Sequence, residues 1–300
     1  LRSFQKRLSE TQVFFGARAR YLYELIGWIT RDDTDLHFMN YGYSDGELDA
    51  NLRLNPQEEF ERYSLQLYHA VGGQVPLAGL RVLDIGSGRG GGARHLHRHF
   101  GARETVGYDI AHNAIRFCGK VHGGVPGLSF RQGDATALTF PDDSFDAVVN
   151  VESAHCYADP AAFFAEVRRV LKPGGAFLLA DFTPPRRHPA EARLHLVDGL
   201  SQAGFAISAI SDVTAHILRG LDADDARRRR EIDRRFPRLM RRFARLWAGT
   251  RESWIYRDFA EGRRAYLMLH ATALPAAGVC GVERPVDLPE PAPAPESAVA

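Results

Sequence analysis

From about Glu59 to Phe182, short apolar runs alternate with stretches of helical period, the pattern of a parallel sheet whose strands are joined by helices. Five runs read as strands: RVLDI (81–85), ETVGYD (104–109), LSFR (128–131), FDAVVNV (145–151) and GAFLLADF (175–182). ARHLHRHF and PAAFFAEVRRVL read as helices between them, and in the second Phe163, Val167, Val170 and Leu171 share one face. After Phe182 the alternation changes. GFAISAI (204–210) reads as another strand and RRAYLMLH (263–270) as the last, with about 50 residues of helix between them, too long for an ordinary loop.

Residues outside this region divide the chain further. The aromatic, helix-period stretch TQVFFGARARYLYELIGWIT predicts an N-terminal helical arm, and NYGYSDGELDANLRLNP a turn-rich loop after it. The expected organisation is therefore arm and loop over 1–58, a main domain over 59–274 with a helical lid inserted at about 185–262, and a flexible tail over 275–300. Six of the sixteen prolines fall in that tail, which disfavours a packed structure there.

Composition mainly excludes. The 300 residues, 45% hydrophobic and 25% charged, are those of a globular chain rather than a disordered, collagenous or coiled-coil one. Lys+Arg 38 against Asp+Glu 37 gives a net charge of +1, so no general attraction to nucleic acid or anionic membrane is expected. Cys118, Cys156 and Cys280 are too widely spaced for a disulfide framework or a zinc site, which fits a reducing cytoplasm. No run approaches the roughly 18 apolar residues of a membrane span, and the opening LRSFQKRLSE lacks the apolar region of an export signal. The histidines, His95, His97 and His99 included, show no metal-ligand pattern.

Only Lys6, Lys120 and Lys172 are lysines, leaving 35 arginines, ten of them between Arg227 and Arg245. Ile232, Phe236, Leu239, Met240, Phe243, Leu246 and Trp247 recur there as one apolar helix face, so the arginines are expected on the solvent side of a packed lid helix, with contact to an anionic substrate or partner as the alternative. Pro237 is expected to kink or restart it.

The strongest local signal is RVLDIGSGRGGGARHLHRHF, a strand entering a glycine cluster and then a helix. Gly86, Gly88 and Gly91 satisfy G-x-G-x-x-G, the dinucleotide pattern, whereas Asp84, Gly86, Gly88 and Gly90 satisfy D-x-G-x-G-x-G. The glycines alone do not choose between a nicotinamide cofactor and S-adenosylmethionine (SAM). Asp109, at the end of the second strand, is placed to accept from ribose hydroxyls, and Asp134, in QGDATAL, to accept from an adenine amino group. Together with FPDDSFDAVVNVESAHCY and RVLKPGGAFLLADF, this series resembles the class I SAM-dependent methyltransferase family over roughly residues 36–270.

The resemblance implies an α/β, Rossmann-like seven-stranded sheet ordered 3-2-1-4-5-7-6 with strand 7 antiparallel. It implies SAM as cofactor and S-adenosylhomocysteine as product. Asp84, Gly86, Gly88 and Gly90 would line the methionine side, Asp109 hold the ribose, and Asp134 with Ala135 read the adenine; Ile110, Glu152 and Tyr41 join the cofactor-binding positions. Tyr41 and Tyr43 could close over the sulfonium through cation–π attraction of roughly 0.5–2 kcal/mol.

Narrower matches, at FMNYGY (38–43), RYSLQLYHAVG (62–72), VNVESAHCYAD (149–159), DVTAHILRGL (212–221) and FAEGRRAYLMLH, resemble bacterial O-methyltransferases of lipids and polyketides, typified by the phthiotriol/phenolphthiotriol dimycocerosate enzymes. The chain departs from them at TPPRRHPAEARLHLVDGL (183–200) and in its tail. The implied acceptor is a hydroxyl on a bulky hydrophobic small molecule. No nucleic acid and no stable membrane insertion are expected, and homo-oligomerisation stays open. An aliphatic hydroxyl must lose a proton, and His155, after the fourth strand, is the expected general base with Asp181 orienting it. Cys156 is expected to pack. C-methylation of an alkene or prenyl chain is the alternative, compatible with Tyr21, Tyr23, Trp28, Tyr41 and Tyr43; SAM binding without transfer is the second.

Overall fold

The computed structural model describes Ile29, residues 33–185 and residues 187–275. The expected arm up to residue 28, with Tyr21, Tyr23 and Trp28, and the proline-rich tail from 276, with Cys280, lie outside the described residues.

Seven strands form one sheet in the order β3-β2-β1-β4-β5-β7-β6. They are β1 (Arg81–Ile85), β2 (Glu104–Asp109), β3 (Leu128–Gln132), β4 (Phe145–Val151), β5 (Leu171–Phe182), β6 (Phe205–Asp212) and β7 (Tyr266–Ala273). β7 pairs antiparallel with both β5 and β6, and the other pairs are parallel. The expected bounds hold for β1, β2 and β4. β5 starts earlier than residue 175 because Leu171 already pairs with Phe145, and Lys172–Gly175 bulge out before pairing resumes at Ala176. β7 starts later, at Tyr266, after a turn at Gly262.

Ten helices accompany the sheet among the described residues: α1 (Gly46–Asn51), α2 (Pro56–Glu59), α3 (Arg62–Gly72), α4 (Gly91–His99), α5 (His112–His122), α6 (Pro160–Val170), α7 (Pro189–Gln202), α8 (Thr214–Arg235), α9 (Arg238–Trp247) and α10 (Trp254–Ala260). Strand alternation sends apolar side chains to both faces, giving two cores. On one face Leu67, Val71, Val82 and Leu96 pack with the lid residues Ile217, Leu221, Ile255 and Phe259. On the other, Leu83, Phe163, Val167, Phe177, Leu200 and Phe205 form the second layer.

Two expectations change here. Within 185–262, α7 and β6 belong to the sheet and its covering layer: Leu200 of α7 and Phe205 of β6 are fully buried in the second core. The segment that borders the cavity described below starts with α8. Pro237 does interrupt the arginine-rich helix, ending α8 at Arg235 and starting α9 at Arg238. The apolar face is therefore not continuous, and Leu239 stands 97% exposed. The expected loop at 40–58 also contains the short helices α1 and α2, each started by an acceptor side chain, Asp45 and Asn55.

Candidate active site

The carboxyl ends of β1, β2 and β4 open into a cavity of about 690 Å³, within the roughly 300–1,000 Å³ usual for ligand sites. Its floor is the glycine turn. Gly86 has φ +73°, and a Cβ there would lie 2.1 Å from Ser153 Oγ; the next strand's turn packs directly on it. Gly88 has φ +51° but open space, with Met39 Cε the nearest atom at 3.8 Å. Its N–H donates to Asp109 Oδ2 at 2.8 Å, while Ala111 N–H donates to Oδ1 at 2.8 Å. Asp109 thus ties the first turn to the second while lining the cavity beside Ile110.

Asp134 and Ala135 line the same cavity after β3. Thr136 donates to Asp134 Oδ1 through both its N–H (2.8 Å) and its hydroxyl (2.7 Å), fixing the carboxylate at the surface.

Two expected cofactor residues are placed elsewhere. Asp84 is completely buried and does not border the cavity, because alternation along β1 turns it toward α3, where the Tyr68 hydroxyl approaches its Oδ1 at 3.5 Å. Burial, then the charge of Asp109, raises its pKa well above the carboxylate range. Gly90 faces Phe130 and His122 rather than the cavity and starts α4 in the left-handed conformation. Asp84 and Gly90 support the loop from beneath. Ser87, Arg89 and Gly92, not singled out by sequence, take the lining positions instead.

The opposite wall carries the His155–Asp181 pair. Asp181, at the end of β5, accepts from the His155 ring at Nδ1 (2.8 Å) and from the His155 backbone N–H (2.9 Å). His155 lines the cavity; Asp181 does not, and touches it only by way of His155. Burial works against the imidazolium, but the Asp181 carboxylate outweighs it and holds the His155 pKa well above its ordinary value. The ring lies 4.3 Å from that of Phe182, between centroids. Cys156 also lines the cavity, beside His155.

Glu152 is held in a left-handed conformation, φ +50°, uncommon for a side-chain-bearing residue. Its Oε1 accepts from the Tyr41 N–H and the Tyr266 hydroxyl, each at 2.9 Å. Burial pushes its pKa up to about 7. Tyr41 lines the cavity, whereas Tyr43 stacks on His216 of α8 at 4.8 Å and lies outside it.

A lid closes the space. Arg228, Glu231, Ile232, Arg235, Phe236, Met240 and Phe243 line it from α8 and α9, and Leu36–Asn40 from the preceding loop. Arg228 and Arg235 contradict the expected solvent-facing arginines. Arg228 is buried and donates to the carbonyls of Asn40, Tyr41 and Ala248, with Asp224 as its ion pair. The Arg235 side chain is 2% exposed and pairs with Glu231, Asp33 and Asp35. Arg89 clamps the same loop from below through the carbonyls of Asp33 and Leu36.

A seven-stranded sheet in this order, with a glycine turn and acidic strand ends around one cavity, defines the Rossmann-like methyltransferases as a class. The family model described as Methyltransferase domain matches residues 83–179. A fatty-acid O-methyltransferase of Mycolicibacterium smegmatis is 36% identical over 79% of this chain and 83% of its own length. A phthiotriol/phenolphthiotriol dimycocerosates methyltransferase of Mycobacterium tuberculosis is 35% identical over 83% of this chain and 89% of its own. The chain belongs to this SAM-dependent methyltransferase family. Among solved structures, the cyclase SpnF superposes with a TM-score of 0.61 at 23% identity, covering 85% of this chain and 95% of that one. Geranyl diphosphate C-methyltransferase from Streptomyces coelicolor gives 0.59 at 18% identity, covering 82% and 93%. At those identities the likeness is one of fold.

The residues present fit SAM. Gly88 leaves the floor open where a ligand must approach the backbone, and the Asp109 and Asp134 carboxylates line the cavity as acceptors for ribose and adenine, while the lining arginines Arg89, Arg228 and Arg235 are engaged by the 33–41 segment.

Proposed function

We propose that this methyltransferase acts on an oxygen of a bulky apolar acceptor, with His155 at the acceptor atom. The observation that carries the reading is the Asp181–His155 pair in the wall of a cavity whose lid side presents Ile232, Phe236, Met240 and Phe243. The relatives named above act on lipids, which supports an apolar acceptor. Free Cys118 and Cys156 support a cytoplasmic site of action.

SAM, when bound, supplies a methyl group on a sulfonium for in-line displacement. Asp109 and Ile110 would hold its ribose side, Asp134 and Ala135 its base, and Gly86, Gly88, Glu152 and Tyr41 would border its methionine end. Asp181 fixes Nδ1 of His155, so the proton of an acceptor hydroxyl passes to Nε2. The carboxylate then stabilises the imidazolium that forms. Arg228 and Arg235 hold the lid against the 33–41 segment and keep water from the reacting oxygen.

A second reading has its own support: Asp181 favours His155 as a cation, and a cation would anchor an acceptor that is already a carboxylate, as the fatty-acid relative's name suggests. Acceptor type and pH separate the two. With a long-chain alcohol and His155 as base, kcat/KM rises with pH through the raised His155 pKa, because the base must be neutral. With a fatty acid and His155 as anchor, kcat/KM falls over the same range. Methyl transfer to paired C16 alcohol and acid across pH 5–9 decides between them, and a flat profile with both removes His155 from the chemistry.

A further inference from the structure

α9, RLMRRFARLW, carries four arginines and no acidic residue on a chain whose net charge is only +1. One side of this helix belongs to the cavity: Met240, Phe243 and Ala244 line it. The other side faces solvent. Leu239 is 97% exposed, beside Arg238 and Arg242, which are also exposed and make no ion pair among the described residues. Arg241 and Arg245, by contrast, lie against Asp233. Arg238 and Arg242 are one turn apart, and Leu239 projects between them and the cavity-lining Phe243, so the solvent-facing surface carries two cations with one apolar side chain at their edge.

A single exposed leucine is ordinary. Here it sits on the helix that forms the cavity wall, beside Arg238 and Arg242, in a groove where four arginines face only two acids, Asp233 and Glu252. We propose that α9 docks on an anionic lipid surface, lying within the headgroup layer so that an apolar acceptor passes from the lipid into the cavity beneath. Arginine stems lie along apolar surface while guanidinium groups stay at phosphate level, and Leu239 enters the acyl boundary. An acidic protein would answer the arginines but not the protruding leucine; a lipid surface answers both. Attachment is peripheral, since no described helix is long and apolar enough to cross a membrane. The purpose assigned to docking rests on the apolar-acceptor reading above, but docking itself can be measured without any acceptor.

The test is co-sedimentation of the full chain with vesicles of phosphatidylcholine containing about one-third phosphatidylglycerol, and with phosphatidylcholine alone. Each arginine charge near an anionic surface is worth roughly fivefold in affinity. Arg238→Glu together with Arg242→Glu is therefore expected to weaken binding to anionic vesicles by at least about 25-fold. Leu239→Asp is expected to weaken it as well. All three positions are exposed, so circular dichroism and SAM affinity are expected to stay at wild-type values, separating lost docking from lost folding. Equal binding to both vesicle types, or wild-type binding by these variants, overturns the proposal. So does absence of vesicle binding combined with capture of an acidic carrier protein through the same arginines. Neither result touches the assignment of the acceptor chemistry, which is read from turnover with dissolved acceptors.

Discussion

Glu152→Gln isolates the cost of keeping a carboxylate in the cavity wall. Glu152 accepts two hydrogen bonds through one oxygen, from Tyr41 N–H and Tyr266 hydroxyl, and glutamine keeps that acceptor at nearly the same volume. Burial moves the folded-state pKa from 4.5 to about 7. A raised carboxyl pKa means the folded state holds the proton more tightly than the unfolded one. The contribution of Glu152 to stability is therefore fully present below pH 4.5, is lost as pH rises from 4.5 toward 7, and levels off beyond. At about 1.4 kcal/mol per unit, the full loss is on the order of 3 kcal/mol. Glutamine does not titrate, so the variant escapes the loss. Urea unfolding of both proteins at about pH 5 and about pH 8 is expected to show the glutamine variant gaining some 2–3 kcal/mol on wild type between the two. An equal difference at both values would refute the assignment of a buried, proton-retaining Glu152.

Other predictions follow from the same geometry. Gly86→Ala places a Cβ 2.1 Å from Ser153 Oγ at φ +73°, so it is expected to lower thermal stability and abolish SAM binding; Gly88→Ala, at φ +51° but with no atom nearer than 3.8 Å, is expected to fold at a cost of only about 1–2 kcal/mol of backbone strain and to lose SAM affinity, as calorimetry can show. Asp109→Ala removes the acceptor of the Gly88 and Ala111 N–H groups and is expected to weaken SAM binding by roughly 10–100-fold, about 1.4–3 kcal/mol, measured by titration. Asp181→Asn removes the charge that offsets the burial of His155, so the pH–rate limb is expected to move to lower pH while kcat falls; a limb that stays in place would mean another group titrates.

The individual strands, the glycine turn and the acidic strand ends were readable from the chain because they are local: period-2 runs, turn residues and spacing; the order of the strands in the sheet came from the resemblance. Which loop residues face the cavity was not. Asp84 and Gly90 fit the motif as well as Gly88 and Asp109 do, but alternation along β1 and packing against Phe130 turn them away. The arginine helix shows the same limit. Helical period separates its faces, yet only the fold brings Asp33 and Asp35, some 200 positions earlier, to Arg235 and thereby buries it. The Pro237 break was legible because proline acts locally; the exposure of Leu239 beyond it was not. His155 and Asp181, 26 residues apart, meet because β4 and β5 are neighbours in the sheet, and that adjacency followed from the resemblance rather than from spacing.

The central claim is that His155, oriented by Asp181, handles the acceptor oxygen while the glycine turn and Asp109 hold the cofactor. The most direct measurement is methyl transfer from labelled SAM by His155→Ala, with SAM affinity measured on the same preparation and the product's new methyl located. The account predicts a fall of roughly 10²–10⁴-fold in turnover, wild-type SAM affinity, and a methyl bonded to oxygen. Undiminished turnover, or a methyl bonded to carbon, would contradict it.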